Sequence, residues 1–166
     1  TPAPVRESLK EAVRLALTTD EKTLQSFIEH TRMLFNKFEP EEIAFPRGVN
    51  GIKEYSDPVT LYKKGTPIHV KGAILYNHYL KQHGLTSKYQ LIQEGEKVKF
   101  TYLKPPNPFK DSVVSYPTRL PKEFGLQEYI DYDLQFEKTF LDPIKIILDS
   151  IGWETEKQST LESFFG

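Results

Sequence analysis

Proline sets the tightest limit on what this chain can fold into. It has no amide hydrogen and fixes φ at about −65°, so helices end at it or begin with it, and central strands exclude it. Pro40 closes one apolar-periodic stretch, and Pro46 and Pro58 fall in a segment without a period. Pro105, Pro106 and Pro108 follow a short alternating run, and Pro143 cuts the last helical pattern. Regular structure must fit between these points. From Pro4 to Leu17 the spacing puts Val5, Leu9, Val13 and Leu17 on one side of a helix, with Ala12 and Ala16 beside them. Thr19 or Asp20 can cap a second helix that reaches Phe38, striped by Leu24, Phe27, Ile28, Leu34, Phe35 and Phe38. A third runs from Thr66-Pro67 to His83, with Pro67 near its first turn and Gly84 at its end. Lys97 to Leu103 alternates as a short strand, and Ser112 to Tyr116 can form a second. Gln127 to Ile151 reads as helical again, with Pro143 suited to the first turn of a new helix. Phe45 to Lys64, with two prolines, two glycines, Asn50 and four Lys/Arg, reads as a long exposed loop. Such length is uncommon in a loop without a function.

The 166 residues support one domain with a real core, and a content of 38% hydrophobic and 27% charged residues is ordinary. No run approaches the roughly 18 apolar residues that span a bilayer, and no charged-then-apolar leader opens the sequence. A cytoplasmic protein with no membrane partner is therefore expected. With zero cysteines there is no disulfide framework and no thiolate-bound zinc. A net charge of −1 argues against a simple basic binder of nucleic acid, but the charge is unevenly spread. Phe45 to Lys110 holds 11 Lys/Arg against 4 Asp/Glu, and the rest of the chain 11 against 19. That central segment is a candidate polyanion surface; the plain alternative is a solvated face.

The C-terminal residues carry the sharpest local signal. A polar tail ends in Gln158-Ser159-Thr160-Leu161-Glu162-Ser163-Phe164-Phe165, in which Leu161, Phe164 and Phe165 would share one face of a single helical turn. Large apolar side chains on a flexible tail have no core to enter, so they read as anchors for a partner's pocket, with Gln158 hydrogen-bonding at its rim. Ordinary composition yields this spacing by chance on the order of once in ten thousand positions. The segment resembles the clamp-interaction box of replication proteins.

The body of the chain narrows the owner of that box. Ile68-His69-Val70-Lys71-Gly72-Ala73-Ile74-Leu75-Tyr76-Asn77, then Gly95-Glu96-Lys97-Val98, Asn107-Pro108-Phe109, Glu137-Lys138-Thr139-Phe140 and Pro143-Ile144 occur in one order. Together they resemble the thumb of T-even-like bacteriophage family B DNA polymerases. The segment from Ala44 through Tyr55 resembles the loop by which that thumb approaches duplex DNA. The resemblance implies an α+β, mainly helical, thumb-like domain over residues 1–153, with a small antiparallel sheet, and a flexible C-terminal tail over residues 154–166. It implies sequence-independent grip on primer–template duplex, docking on a sliding clamp, and association with the remaining polymerase domains or a second polymerase chain. Gripping of this kind rests on phosphate contacts rather than base readout. The candidates are Arg47, Asn50, Lys53, Lys63, Lys64, Lys71 and Lys110, with Gly48 and Gly51 suited to close backbone approach. Lys53 leads because it lies in the family-like loop. An independent clamp-bound adapter would share the tail but need no basic surface.

Family B nucleotidyl transfer uses two metal ions held by palm aspartates, including a Tyr-x-Asp-Thr-Asp motif. That motif is absent here, so the resemblance places magnesium and the chemistry outside this chain, which needs no cofactor and carries no catalytic residue of its own. Asp131-Tyr132-Asp133 lies in a helical pattern, where alternate residues project about 200° apart, and reads as solvated helix rather than metal site. The four histidines lack metal-binding spacing, and His69 is equally a phosphate contact or a polar group at a helix start.

Overall fold

In the computed structural model, which describes residues 2–157, Asp20 rather than Thr19 opens the second helix. Its backbone is extended and its carboxylate accepts from the Thr23 amide at 2.8 Å. The chain is α+β and mainly helical with a small antiparallel sheet. It divides into two units, one of Ala3–Phe38 with the chain from Phe136 onward, the other of Glu39–Gln135. Among the described residues no helix is long and apolar enough to cross a membrane.

The first unit begins with α1 (Ala3–Thr18) and α2 (Glu21–Phe35). Helix α1 buries Val5, Ala12 and Leu15, whereas Leu17 is 78% exposed, against the expected stripe. At 3.6 residues per turn each step of four advances about 40° too far, so a strict i+4 series walks off the buried face by its fourth member. Helix α2 ends at Phe35, three residues short of expectation. Pro40 does more than stop it: after an extended Glu39 it starts a short helix, α3 (Pro40–Ile43), with the Glu39–Glu42 capping box around it. A residue before proline disfavours helical backbone, which is why the break falls ahead of it.

The last helical pattern is likewise finer than expected. A 3₁₀ turn (Gln127–Tyr129) precedes α6 (Tyr132–Phe136), a π turn (Glu137–Leu141) and α7 (Asp142–Ile151). Pro143 sits in the first turn of α7, as its missing amide allows. Just before it the ladder widens, and the Asp142 amide bonds the Glu137 carbonyl five residues back. This relieves the proline ring's clash with the carbonyl four residues ahead of it. The unit's core is aromatic, with Phe136 edge-on to Phe35 at 5.2 Å and stacked on Phe140 at 4.9 Å. The Arg32 guanidinium lies 4.7 Å over Phe136 and reaches Glu156 at 3.2 Å.

In the second unit the segment expected to be a loop is mostly regular. It contains β1 (Phe45–Gly48), α4 (Ile52–Tyr55) and a tight pair, β2 (Ser56–Asp57) with β3 (Leu61–Tyr62). The prolines do not prevent this, because β1 is a sheet edge and tolerates a residue that cannot donate. Helix α5 (Ile68–Gln82) and strands β4 (Lys97–Tyr102) and β5 (Val113–Tyr116) match the expected elements within about a residue or two at either end. The sheet order is β1-β4-β5, antiparallel throughout, with Phe45 opposite Phe100 and Gly48 opposite Lys97. Buried Gln135 ties the other side, its amide donating to the Ile43 carbonyl at 3.0 Å and accepting from the Tyr102 amide at 2.9 Å.

Helix α5 rests on β5 at very short range. A Cβ added at Gly72 would stand 2.3 Å from Ser115 Oγ and 2.7 Å from the Ser115 nitrogen. That same hydroxyl donates to the His69 carbonyl at 2.8 Å. Gly72→Ala should therefore lower unfolding stability by about 1–3 kcal/mol, the usual cost of forcing atoms into a packed core, and toward the upper end because backbone stands in the way. Chemical denaturation of the two proteins checks this; equal midpoints would mean that helix and strand lie farther apart.

Candidate nucleic-acid interface

The turn between β1 and α4 is built around a carboxylate. Glu94 Oε1 accepts from the backbone amides of Gly51 and Ile52, the latter at 3.1 Å, and Oε2 from the Lys53 amide at 3.4 Å. These bonds hold Glu94 below the ordinary carboxylate range, the Gly51 amide first and the Ile52 amide next. Two backbone bonds join the turn to the same stretch, from the Val49 amide to the Glu96 carbonyl at 2.9 Å and from the Gly95 amide to the Val49 carbonyl at 2.6 Å. Buried Val49 pins the turn to the core, while Arg47, Gly48, Asn50 and Lys53 are left exposed.

The two glycines of this turn differ. Gly51 has φ +106°, and an added Cβ would lie 2.9 Å from the Tyr55 ring, so the fold itself requires glycine there. At Gly48 nothing lies within 4 Å of an added Cβ and φ is not positive, so no internal contact demands its lack of a side chain. Arg47 spreads over the edge of the sheet, its guanidinium 5.9 Å from the Phe45 ring and 5.8 Å from Phe100, with Nη1 donating to the Pro46 carbonyl at 2.7 Å.

The remaining candidates gather around Tyr62. Its hydroxyl donates to Asp111, and the Lys71 ammonium sits 4.8 Å over its ring. The Asp111 bond, then burial, push the Tyr62 hydroxyl up to about 12, so it stays a donor at any physiological pH. Lys63 and Lys64 follow β3 and are exposed; Lys110, next to Asp111, is exposed at a left-handed φ of 53°. The Lys63 amide donates to the Tyr55 carbonyl at 2.8 Å, which fastens this group to the end of α4. Lys71 is the exception in the set. It is half-buried and committed to an aromatic face rather than standing free.

Several neighbours escaped the sequence reading. Lys97, exposed on β4 opposite Gly48, adds a cation beside the turn, and Lys99 spends its ammonium on the Glu41 carbonyl at 3.2 Å. Both show in the sequence as the polar half of the β4 alternation. Glu94 gave no signal, since a lone glutamate in a turn has no pattern. Burial, and next the Arg47 charge, lower the basicity of His69, so at neutral pH it offers no cation to a phosphate. Asp131 caps α6, accepting from the Leu134 amide at 3.0 Å, and the described residues hold no cluster of metal-binding side chains. Gln158, Leu161, Phe164 and Phe165 lie outside the described residues.

No family model matches the chain. Two curated relatives do, along its whole length. It is 29% identical to the DNA-directed DNA polymerase of Enterobacteria phage T4, over 100% of the chain, and 31% identical to that of Escherichia phage RB69, over 99%. The chain spans 18% of the length of each relative.

The anchored turn carries its own pH test. A carboxylate lowered by the folded state contributes anchorage that is complete above the ordinary glutamate value of about 4.3 and is lost as pH falls through the lowered one. Amide exchange at Gly51, Ile52 and Lys53 should be protected near neutral pH, and this protection should fade in acid below that value. Glu94→Ala should remove it at every pH. Protection in the parent chain that ignores pH would take Glu94 out of this role.

Proposed function

We propose that this chain, which belongs with the T4-like phage DNA polymerases and matches a segment of them, is their duplex-gripping thumb and tethers the enzyme to a sliding clamp. One observation carries the grip: an exposed basic turn, Arg47 to Lys53, whose backbone is fixed from beneath by Glu94 and Val49. Phosphates are met by cations and by backbone that a side chain does not block, which needs no base recognition. Lys53 and Arg47 supply the charge and Gly48 the unblocked backbone; Lys63, Lys64 and Lys110 extend the contact along the strand, with Lys71 behind them. The nucleotidyl transfer and its magnesium ions belong to other parts of the polymerase. Residues 1–153 then act as the gripping domain and residues 154–166 as the tether.

Duplex affinity should be independent of sequence and fall steeply with salt. About four phosphate contacts give a slope near −3.6 in log K against log salt, and Lys53→Ala should flatten it by about 0.9. Gly48→Ala should not lower stability, since nothing among the described residues opposes a methyl group there, yet should weaken duplex binding. Fluorescence anisotropy on two unrelated duplexes across a salt series reads both effects. A Lys53→Ala loss confined to one duplex, or none at all, would remove the grip.

The tether is tested separately. Phe164→Ala with Phe165→Ala should cost about 2 kcal/mol or more of clamp binding, roughly a thirtyfold loss, with the melting temperature unchanged. Calorimetric titration of the clamp beside melting curves decides the matter. Lower melting with intact clamp affinity would make the two rings part of the fold instead.

A further inference from the structure

The Glu39–Gln135 unit also carries a cleft of about 330 Å³ between α5, the residues just beyond it and the chain leaving β5. Small-ligand pockets run from about 300 to 1,000 Å³, so this one has room for a single nucleotide-sized group. Its floor is Tyr76. That residue is only 2% exposed, its ring meets Phe124 edge-on at 5.7 Å, and among the described residues its hydroxyl has no hydrogen-bond partner. Among the described residues no side-chain polar atom sealed from solvent lacks a partner, so this hydroxyl opens on the cleft. Burial, and next the nearby Tyr89, push it up to about 12, and it faces the cleft as a donor at neutral pH. Open to the cleft, this donor is met by water until the acceptor of a ligand takes its place.

The walls complete a pattern. Lys88 is already engaged, its ammonium 2.9 Å from Glu123 and 5.5 Å over the Tyr89 ring, and the Tyr89 hydroxyl donates to Glu123 at 2.8 Å. That closed set leaves the Tyr89 ring as a flat wall. Arg119 is exposed and makes no ion pair among the described residues, so its planar guanidinium is free for an anion. On the other side the Glu96 carboxylate takes no hydrogen bond among the described residues, while its backbone is held by Val49 and Gln93.

We propose that this cleft binds one nucleoside monophosphate unit, its phosphate on Arg119 and its base edge between the Tyr76 hydroxyl and the Glu96 carboxylate. Every nucleobase has a hydrogen-bond acceptor next to a donor, which this pair of groups matches without selecting a base. The preference for a nucleotide over another flat anion rests on the DNA-contacting role proposed above. The unit could come from free nucleotide or from an unpaired residue of a strand, and the chemistry is the same.

Titration of the full chain with dAMP, deoxyadenosine, inorganic phosphate, a short single-stranded oligo-dA and a blunt duplex tests this. The cleft should bind dAMP about tenfold more tightly than deoxyadenosine and leave inorganic phosphate unbound. Arg119→Gln should bring dAMP down to the nucleoside's affinity. Tyr76→Phe should weaken dAMP binding about tenfold and leave the melting temperature unchanged, because the lost hydroxyl has no partner among the described residues. Tighter binding of the oligonucleotide than of dAMP assigns the site to an unpaired strand, and the reverse to free nucleotide. The proposal fails if neither binds, if both variants bind as the parent does, or if Tyr76→Phe lowers melting while dAMP affinity stands. Duplex binding lost on Lys53→Ala, measured beside these, keeps the two readings apart. Duplex bound without nucleotide overturns only the cleft, and nucleotide bound without duplex overturns only the grip.

Discussion

Helix α5 meets β5 nearly backbone to backbone because Gly72 leaves no side chain between them, and the rest of the larger unit follows from that approach. The Ser115 hydroxyl closes the gap by donating to the His69 carbonyl. With α5 that low, Val70, Ala73 and Ile74 cover the sheet, and Val98 and Phe100 are sealed beneath them. Phe45 can then stack on Phe100 at 5.0 Å, which sets β1 on the sheet's edge. The basic turn begins where β1 ends. The same helix carries Lys71 to the Tyr62 ring and Tyr79 to its stack on Phe109 at 4.1 Å.

Several residues in the blocks of sequence that resemble polymerases prove to be internal fasteners. Asn77 bonds both polar groups of Ile92, accepting from its amide at 2.8 Å and donating to its carbonyl at 2.9 Å. Asn107 donates to the Lys104 and Asp111 carbonyls and accepts from the Phe109 amide, which fixes the chain between β4 and β5. In the other unit, Thr139 and Phe140 of the Glu-Lys-Thr-Phe block are buried in the π turn. Such residues hold a shape in which exposed Lys and Arg are placed.

The sequence was most legible where one periodicity governed a long element. The starts of α1, α2 and α5 and strands β4 and β5 follow from apolar spacing, caps and prolines. It was least legible from Phe45 to Lys64, where β1 takes its shape from a partner far along the chain and β2 and β3 are only two residues long. Pairing of β1 with β4 spans some fifty residues, and no local pattern encodes it. The exposed cations of the turn could be named from charge alone, but Glu94, which holds them in place, could not. Nor could the cleft at Tyr76, because a tyrosine on an apolar helix face reads as core, and only the fold shows its hydroxyl without an acceptor among the described residues.

The Glu94 carboxylate has a consequence for the energetics of any encounter at the basic turn. A segment that must be caught in one of many conformations loses affinity in proportion to the fraction of time it spends in the right one. Three backbone amides gathered on one side chain remove that selection step, so the turn presents a single shape before a partner arrives. The gain has an electrostatic counterweight. The anion that orders the turn lies beside Lys53 and dims the positive potential there, exchanging long-range attraction for a contact that is ready on arrival.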